Sequence, residues 1–435
     1  MEHESTLQSI PLIASIPFIV MLGCIAVLPL VKEHFWEKNR NKLIIALILG
    51  IPTAIYLLST GFSHNLIHTM VFDYIPFIIL LGGLFCITGG ITLTGDIEAK
   101  PLINSIFMAI GAVLASFMGT TGAAMLLIRP ILQTNKERQF KVHTVLFFIG
   151  IVANCGGMLT PLGDPPLFMM YLRGTPFTWF FHLWKPWLFV NALTIIVYFI
   201  VDTYFHSKEP EKTLLKDKAE IQPIRMSGGL NFLWLLGVIL SIAFINEQYI
   251  HAMHQNHYLK FLREGTILLM AAIAYVTSKP ENRKQNNFTW HPIIEVAYLF
   301  LGIFITMVPC LIYLEVNAHH LGVNSPRQFY YYTGLLSSFL DNTPTAVTFY
   351  SLAIGLGQKA TVMVAGIPFI TMISICLGAV FFGSMTYIGN GPNFMVKSVA
   401  EENQVKMPSF FGYILKFSIP VLLPILVLTA FLFVK

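Results

Sequence analysis

The chain has 435 residues, of which 55% are apolar and only 11% charged. Soluble globular domains carry about 25% charged residues, so this chain has too few ionic side chains to cover a water-facing surface. That disfavours a soluble enzyme, a disordered protein or a nucleic-acid-binding domain. The formal charge of +5 is what a polytopic membrane protein acquires by keeping Lys and Arg in its cytoplasmic loops.

The first residues, Met1 to Ser9, carry Glu2 and Glu4 but no Lys or Arg. A signal peptide needs a basic leading region, so the apolar run that follows is expected to be a retained first span. A spanning helix needs about 20 mostly apolar residues. In chain order, spans are expected at 10–31, 42–60 and 71–93. Segment 102–133 follows, with its small polar residues in the middle, and then 142–172, too long for one plain helix and interrupted by Gly and Pro near its end. A span at 177–205 and a basic stretch at 207–229 complete the first half. The second half offers spans at 230–247, 262–277 and 292–315, a second polar-centred segment at 328–357, a second interrupted one at 361–400 and a last span at 413–434. The five cysteines are scattered singly and read as small packing residues rather than a metal or disulfide framework.

Charge counting decides whether 102–133 and 328–357 cross the membrane. If both fold back as hairpins, 20 of the 27 Lys and Arg fall on one side; if both cross, the split is 13 against 14. The positive-inside rule favours hairpins with both termini outside. Comparing the halves reveals a repeat: 116–124 (SFMGTTGAA) aligns with 338–346 (SFLDNTPTA), and 160–168 (TPLGDPPLF) with 386–394 (TYIGNGPNF). The expected fold is therefore an all-α polytopic membrane protein of two inverted-topology repeats, 1–206 and 230–435, joined by a cytoplasmic basic linker at 207–229. Each repeat contains three spans, a re-entrant hairpin, a broken helix and a final span. Such repeats, with interrupted helices at matching positions, are the pattern of secondary transporters that bind cargo near the midplane.

Four polar segments carry the expected chemistry. Backbone at membrane depth must be paired internally unless it lines a cavity, so Gly and Pro runs point to unwound chain with carbonyls able to hold a cation. The first hairpin tip supplies Thr120 and Thr121; the second supplies Ser338, Asp341, Asn342, Thr343 and Thr345. The first break supplies Asn154, Thr160 and Asp164, and the second Thr386, Asn390 and Asn393. Intramembrane acids are functional by default, although Asp164 could instead simply cap a half-helix. Carboxylates, hydroxyls and amides are hard oxygen ligands suited to sodium, with Asp341, Asn342, Thr120 and Asn154 as its expected ligands. A proton competes for the same oxygens, because desolvation favours the neutral carboxyl and a bound cation the ionised one. Asp164 and Asp341 are accordingly the expected proton-coupling groups.

Weaker features are read conservatively. Glu295 either snorkels or reaches inward; His143 and Arg129 are expected to be interfacial anchors; His251, His254 and His257 are expected to be a solvated loop. Two membrane acids could also hydrolyse peptides, but these lie beside breaks whose repeat counterparts are not acidic, so no enzymatic activity or cofactor is expected.

The tip Asp341-Asn342-Thr343-Pro344-Thr345, with Asn154 and the break Thr160-Pro161-Leu162-Gly163-Asp164-Pro165-Pro166, resembles the ion transporter superfamily. The nearest likeness is to bacterial citrate-transporter-like proteins and NhaD-type sodium/proton antiporters, over essentially the whole chain. The resemblance implies paired hairpins meeting two broken helices, an elevator-like movement against a scaffold, a homodimer and a place in the bacterial inner membrane. Transported Na⁺ and H⁺ are the expected cargo, with no nucleic-acid partner. The alternative is sodium- or proton-coupled transport of citrate or a related carboxylate. Asp341 would repel such an anion, which favours cation exchange.

Overall fold

The computed structural model describes residues 10–435, apart from the side chains of Glu33, His254 and His257. The expectations for Met1 to Ser9 and for the side chains of His254 and His257 lie outside the described residues. Among the described residues, seven helices are long and apolar enough to cross a membrane: Leu12–Val31, Asn39–Ser59, Ser63–Thr88, Pro101–Met118, Phe177–His206, His291–His320 and Phe410–Phe433. Two expected spans form shorter helices, Asn231–Phe244 and Phe261–Thr277. Beyond the first, the Asn246 amide donates to the Ala243 carbonyl at 2.8 Å and accepts from the Gln248 N–H at 3.0 Å. Such local bonding competes with continuation of the helix.

The spans pack by a helical stripe. On Asn39–Ser59 the buried positions Ala46, Gly50, Thr53 and Leu57 recur every three to four residues, while Ile48, Ile55 and Leu58 are exposed. That stripe meets helix His291–Asn317, where a Cβ on Gly302 would lie 2.9 Å from the Ala46 Cα. Small residues allow this approach where lipid provides no hydrophobic drive between helices.

Segment 102–133 forms two helices, Pro101–Met118 and Thr120–Thr134, separated by Gly119 alone. The chain reverses there. Asn104 at the start of one arm and Asn135 beyond the end of the other exchange amide hydrogen bonds of 3.0 and 3.1 Å. The second polar-centred segment likewise forms Pro326–Ser337 and Asn342–Leu356, with Gln358 donating to the Asn324 carbonyl at 3.0 Å across the base. Both interrupted segments are broken as expected. The first is Val142–Ile151 followed by Pro165–Leu172, and the second Phe369–Phe382 followed by Gly391–Glu402. Residues 361–368 are not helical. Met363–Val364 pairs with Ile367–Pro368 around Ala365 and Gly366, both at positive φ, and Pro368 directly precedes the helix.

Two short elements join the spans outside the helical core. Strand Thr92–Asp96 pairs antiparallel with Gln222–Ser227, so the basic stretch is ordered. It also contains helix Glu211–Ala219, anchored where the Asp217 carboxylate accepts the Ala99 N–H at 2.9 Å. Strand Gln222–Ser227 is exposed along nearly its whole length, so no apolar alternation marked it in the sequence.

Several buried charges are paired. Lys42, almost wholly buried, lies 2.7 Å from Glu295, so Glu295 reaches inward. His143 is buried rather than an interfacial anchor, because Asp202 gives it a partner at 2.8 Å. The same carboxylate accepts from Arg138 at 2.7 Å and from Asn104 and Tyr198 at 3.2 Å each. This network ties the first hairpin's base to helix Trp184–His206. Removing one partner of a buried pair strands the other charge, at about 3–5 kcal/mol. Arg138→Met should therefore lower the apparent Tm in detergent by several degrees, whereas Arg138→Met combined with Asp202→Leu should lower it less.

Candidate functional site

The chain after Asp164 explains where its carboxylate goes. A residue at the start of a helix ordinarily accepts N–H bonds from the second or third position. Here Pro165 and Pro166 have no N–H, and the Leu167 N–H is taken by the Asp164 backbone carbonyl at 3.0 Å. The Asp164 side chain thus makes no capping bond, which removes the simple capping role. Instead it accepts from three side chains on three other segments: Thr120 at 2.9 Å, Asn390 at 3.1 Å and Asn342 at 2.8 Å. Both hairpin tips and the second break therefore meet on one buried carboxylate, and none of these three partners is charged.

Each of the four segments begins a helix at this point. Thr120 and Asn342 are the first residues of Thr120–Thr134 and Asn342–Leu356; Asp164 and Asn390 directly precede Pro165–Leu172 and Gly391–Glu402. Helix N-termini carry partial positive charge, so four of them surround Asp164. Gly119, with φ of 81°, makes the single-residue turn at the first tip in a conformation that side chains resist. Its neighbour Thr120 donates its backbone N–H to the Gly163 carbonyl at 2.8 Å, docking tip on break. The breaks are folded tightly on themselves: a Cβ on Gly157 would sit 2.5 Å from Thr120 Cγ2 and 2.7 Å from the Gly163 carbonyl oxygen.

The remaining candidates divide into cross-links and tip residues. Asn154 donates to the Ile149 carbonyl at 2.8 Å and to Asn393 Oδ1 at 2.6 Å, and accepts from Asn390 at 3.1 Å. Asn393 in turn donates to the Gly383 and Thr386 carbonyls, both at 2.8 Å. An amide ladder thus joins the two breaks and ends on Asp164. Thr160 donates to the Ser116 carbonyl, and Thr386 to the Ser338 carbonyl, so each break is pinned to its own hairpin by the same bond. Asp341 caps its helix, accepting the Thr343 N–H at 2.9 Å, and its backbone carbonyl accepts from Thr345 at 2.9 Å. The Thr343 hydroxyl is buried with no hydrogen-bond partner. Thr121 is partly exposed beside Thr120.

Several polar residues that support the site escaped the sequence reading. Ser116 and Trp187 donate to the Gly156 carbonyl at 2.5 and 2.9 Å, and Asn191 to that of Cys155 at 3.1 Å. In the other half, Ser337 donates to the Ala379 carbonyl at 2.6 Å, Tyr413 to Ser384 at 2.7 Å and Ser418 to Met385 at 2.7 Å. Many carbonyls expected to be free for a cation are thus already bonded. Trp187 and Asn191 lie four residues apart in an apolar span, a spacing that puts both on one face and could have flagged them.

The helices long and apolar enough to cross a membrane, with the helical hairpins and broken helices between them, define a mostly helical polytopic membrane protein. The chain matches the CitMHS_2 family, described as "Putative citrate transport", over residues 7–434, and belongs to that family. It is also similar to the inner membrane protein YbiR of Escherichia coli (strain K12), with 27% identity over 132 residues. That similarity covers 28% of this chain and 36% of the relative.

The Thr386 hydroxyl also accepts the Ile388 and Gly389 N–H groups at 3.2 and 3.0 Å. Leaving buried groups unpaired costs about 1–3 kcal/mol each. Thr386→Val should lower the apparent Tm in detergent by several degrees, while Thr386→Ser should remain close to the parent.

Proposed function

We propose that this protein is a secondary transporter that exchanges sodium for protons by alternating access, with Asp164 as the group on which the two cations compete. The observation that carries this reading is the single buried carboxylate joined by both hairpin tips and the second break, without a charged hydrogen-bond partner. A cation entering there finds a fixed negative charge. Moving either tip removes a ligand or donor, so occupancy and conformation are linked. Asp341 supplies a second carboxylate at the neighbouring tip, beside Thr343 and Thr345; Thr121 and Ser338 add hydroxyls at the two tips, and Thr160 holds the break in place. The aligned segments of the two halves and their matching Thr-to-Ser carbonyl bonds support inverted repeats with re-entrant hairpins. The similarity to YbiR and the span composition support placement in a bacterial inner membrane; both termini outside and a homodimer complete the proposal.

A second reading, coupled transport of citrate or a related carboxylate, is favoured by a specific feature. Four helix N-termini converge on the site, and such termini attract anions. The family description points the same way. The two readings differ in what moves. In everted vesicles or proteoliposomes, sodium-driven pH change without labelled citrate uptake supports exchange; citrate uptake without a pH response overturns it. Asp164→Asn and Asp341→Asn should each abolish exchange, and Cys24→Ser should leave it intact. Retained exchange in Asp341→Asn would remove that residue from the coupling.

A further inference from the structure

Two half-helices run from the site to a basic residue; one basic residue grips the neighbouring span and the other the strand that follows that span. Pro165–Leu172 begins after Asp164 and ends at Arg173, about 12 Å away at 1.5 Å per residue. Thr120–Thr134 begins at the first tip and is followed by Lys136, about 22 Å away on the same rise. Both cations sit at helix C-termini, where the helix dipole favours them. Their partners are Asp73, near the middle of helix Ser63–Thr88, and Asp96, at the end of the strand Thr92–Asp96 that follows it. Asp73, in its wide π-helical turn Thr69–Tyr74, lies 3.0 Å from Arg173. Asp96, in the strand that follows the helix, lies 2.8 Å from Lys136 and also accepts from Gln133 at 3.3 Å. Glu220, next to the paired strand, and Glu137 add two more carboxylates, 3.1 and 3.3 Å from Lys136.

We infer that these two clasps hold the site-bearing unit at one position along helix Ser63–Thr88, and that transport requires them to open. The inference rests on the moving unit proposed above. The Asp73 clasp is the stronger, because both side chains are largely buried, and opening it uncovers two charges in a poorly solvated place. Arg173 is further seated over the Tyr350 ring of the second hairpin at 5.9 Å. Beside the clasp, Tyr171 on the same half-helix donates to the Ile242 carbonyl at 2.8 Å and packs under the Arg263 guanidinium at 5.2 Å. A cavity of about 220 Å³ borders Asp73, Arg173, Arg263 and Glu264, giving these side chains room to part. The Lys136 clasp is partly exposed and so weaker, since water screens it. One clasp is therefore the main hold and the other a guide on the ribbon side.

The test replaces the main hold with a reversible covalent one. In the full-length protein, Asp73→Cys with Arg173→Cys should form a disulfide under mild oxidation, reducing transport to the level of empty vesicles, and reductant should restore it. Single-cysteine variants should not respond to oxidant. Transport is read with whichever cargo the unaltered protein carries in the assays above. A disulfide that forms without slowing transport overturns the clasp while leaving the transporter reading intact, and failure of the charge swap below to recover transport overturns the contact itself. An unaltered protein that moves neither cargo overturns the transporter reading, and the clasp with it. A charge swap provides the second measurement: Asp73→Arg should impair transport, and adding Arg173→Asp should recover it.

Discussion

An acid whose own helix offers it no N–H must find partners elsewhere, and Asp164 is placed in that position by Pro165 and Pro166. Its three side-chain donors come from both hairpins and from the opposite break. Each hydrogen bond to a charged group contributes about 1.5–3 kcal/mol, so three of them can fix four helix ends around one point in a setting where lipid contributes little to helix association. Asp341 shows the contrast. The residues after it include an N–H at Thr343, and its carboxylate is used locally as a cap.

The breaks survive in an apolar environment because side chains bond several of the backbone carbonyls that the unwound chain frees. Ser116, Trp187 and Asn191 serve the first break, while Ser337, Asn393, Tyr413 and Ser418 serve the second. The requirement that main-chain groups be paired away from water thus shapes the chemistry. With those carbonyls engaged, the polar groups at the tips that remain are mainly carboxylate and hydroxyl oxygens. The Thr343 hydroxyl, buried beside the Asp341 carboxylate, is one of these.

Charge inside the fold follows the same economy of partners. Lys42 meets Glu295, Arg173 meets Asp73, and Arg138 with His143 shares Asp202. These pairs lie away from the Asp164 cluster and connect separate segments, which suits them to setting the relative position of parts. Membership of the CitMHS_2 family across residues 7–434 agrees with a framework devoted to transport.

Much of this was legible in the amino-acid string. The apolar runs gave most of the spans because burial in lipid requires length and composition, and both are local properties. Gly119, the Thr160 to Pro166 run and its counterpart at Thr386 to Asn393 marked the interruptions because Gly and Pro act on their own backbone. Other features depended on distance in sequence. The helix in the linker and the ribbon it forms with residues 92–96 needed a partner strand; the inward turn of His143 and Glu295 needed Asp202 and Lys42; the amide ladder of Asn154, Asn390 and Asn393 needed the two breaks to touch. Sequence determined where the chain must bend and which polar groups it carries there, whereas tertiary structure alone decided which of them meet, since hydrogen bonding is a matter of a few ångströms between segments more than 200 residues apart, such as Asn154 and Asn393.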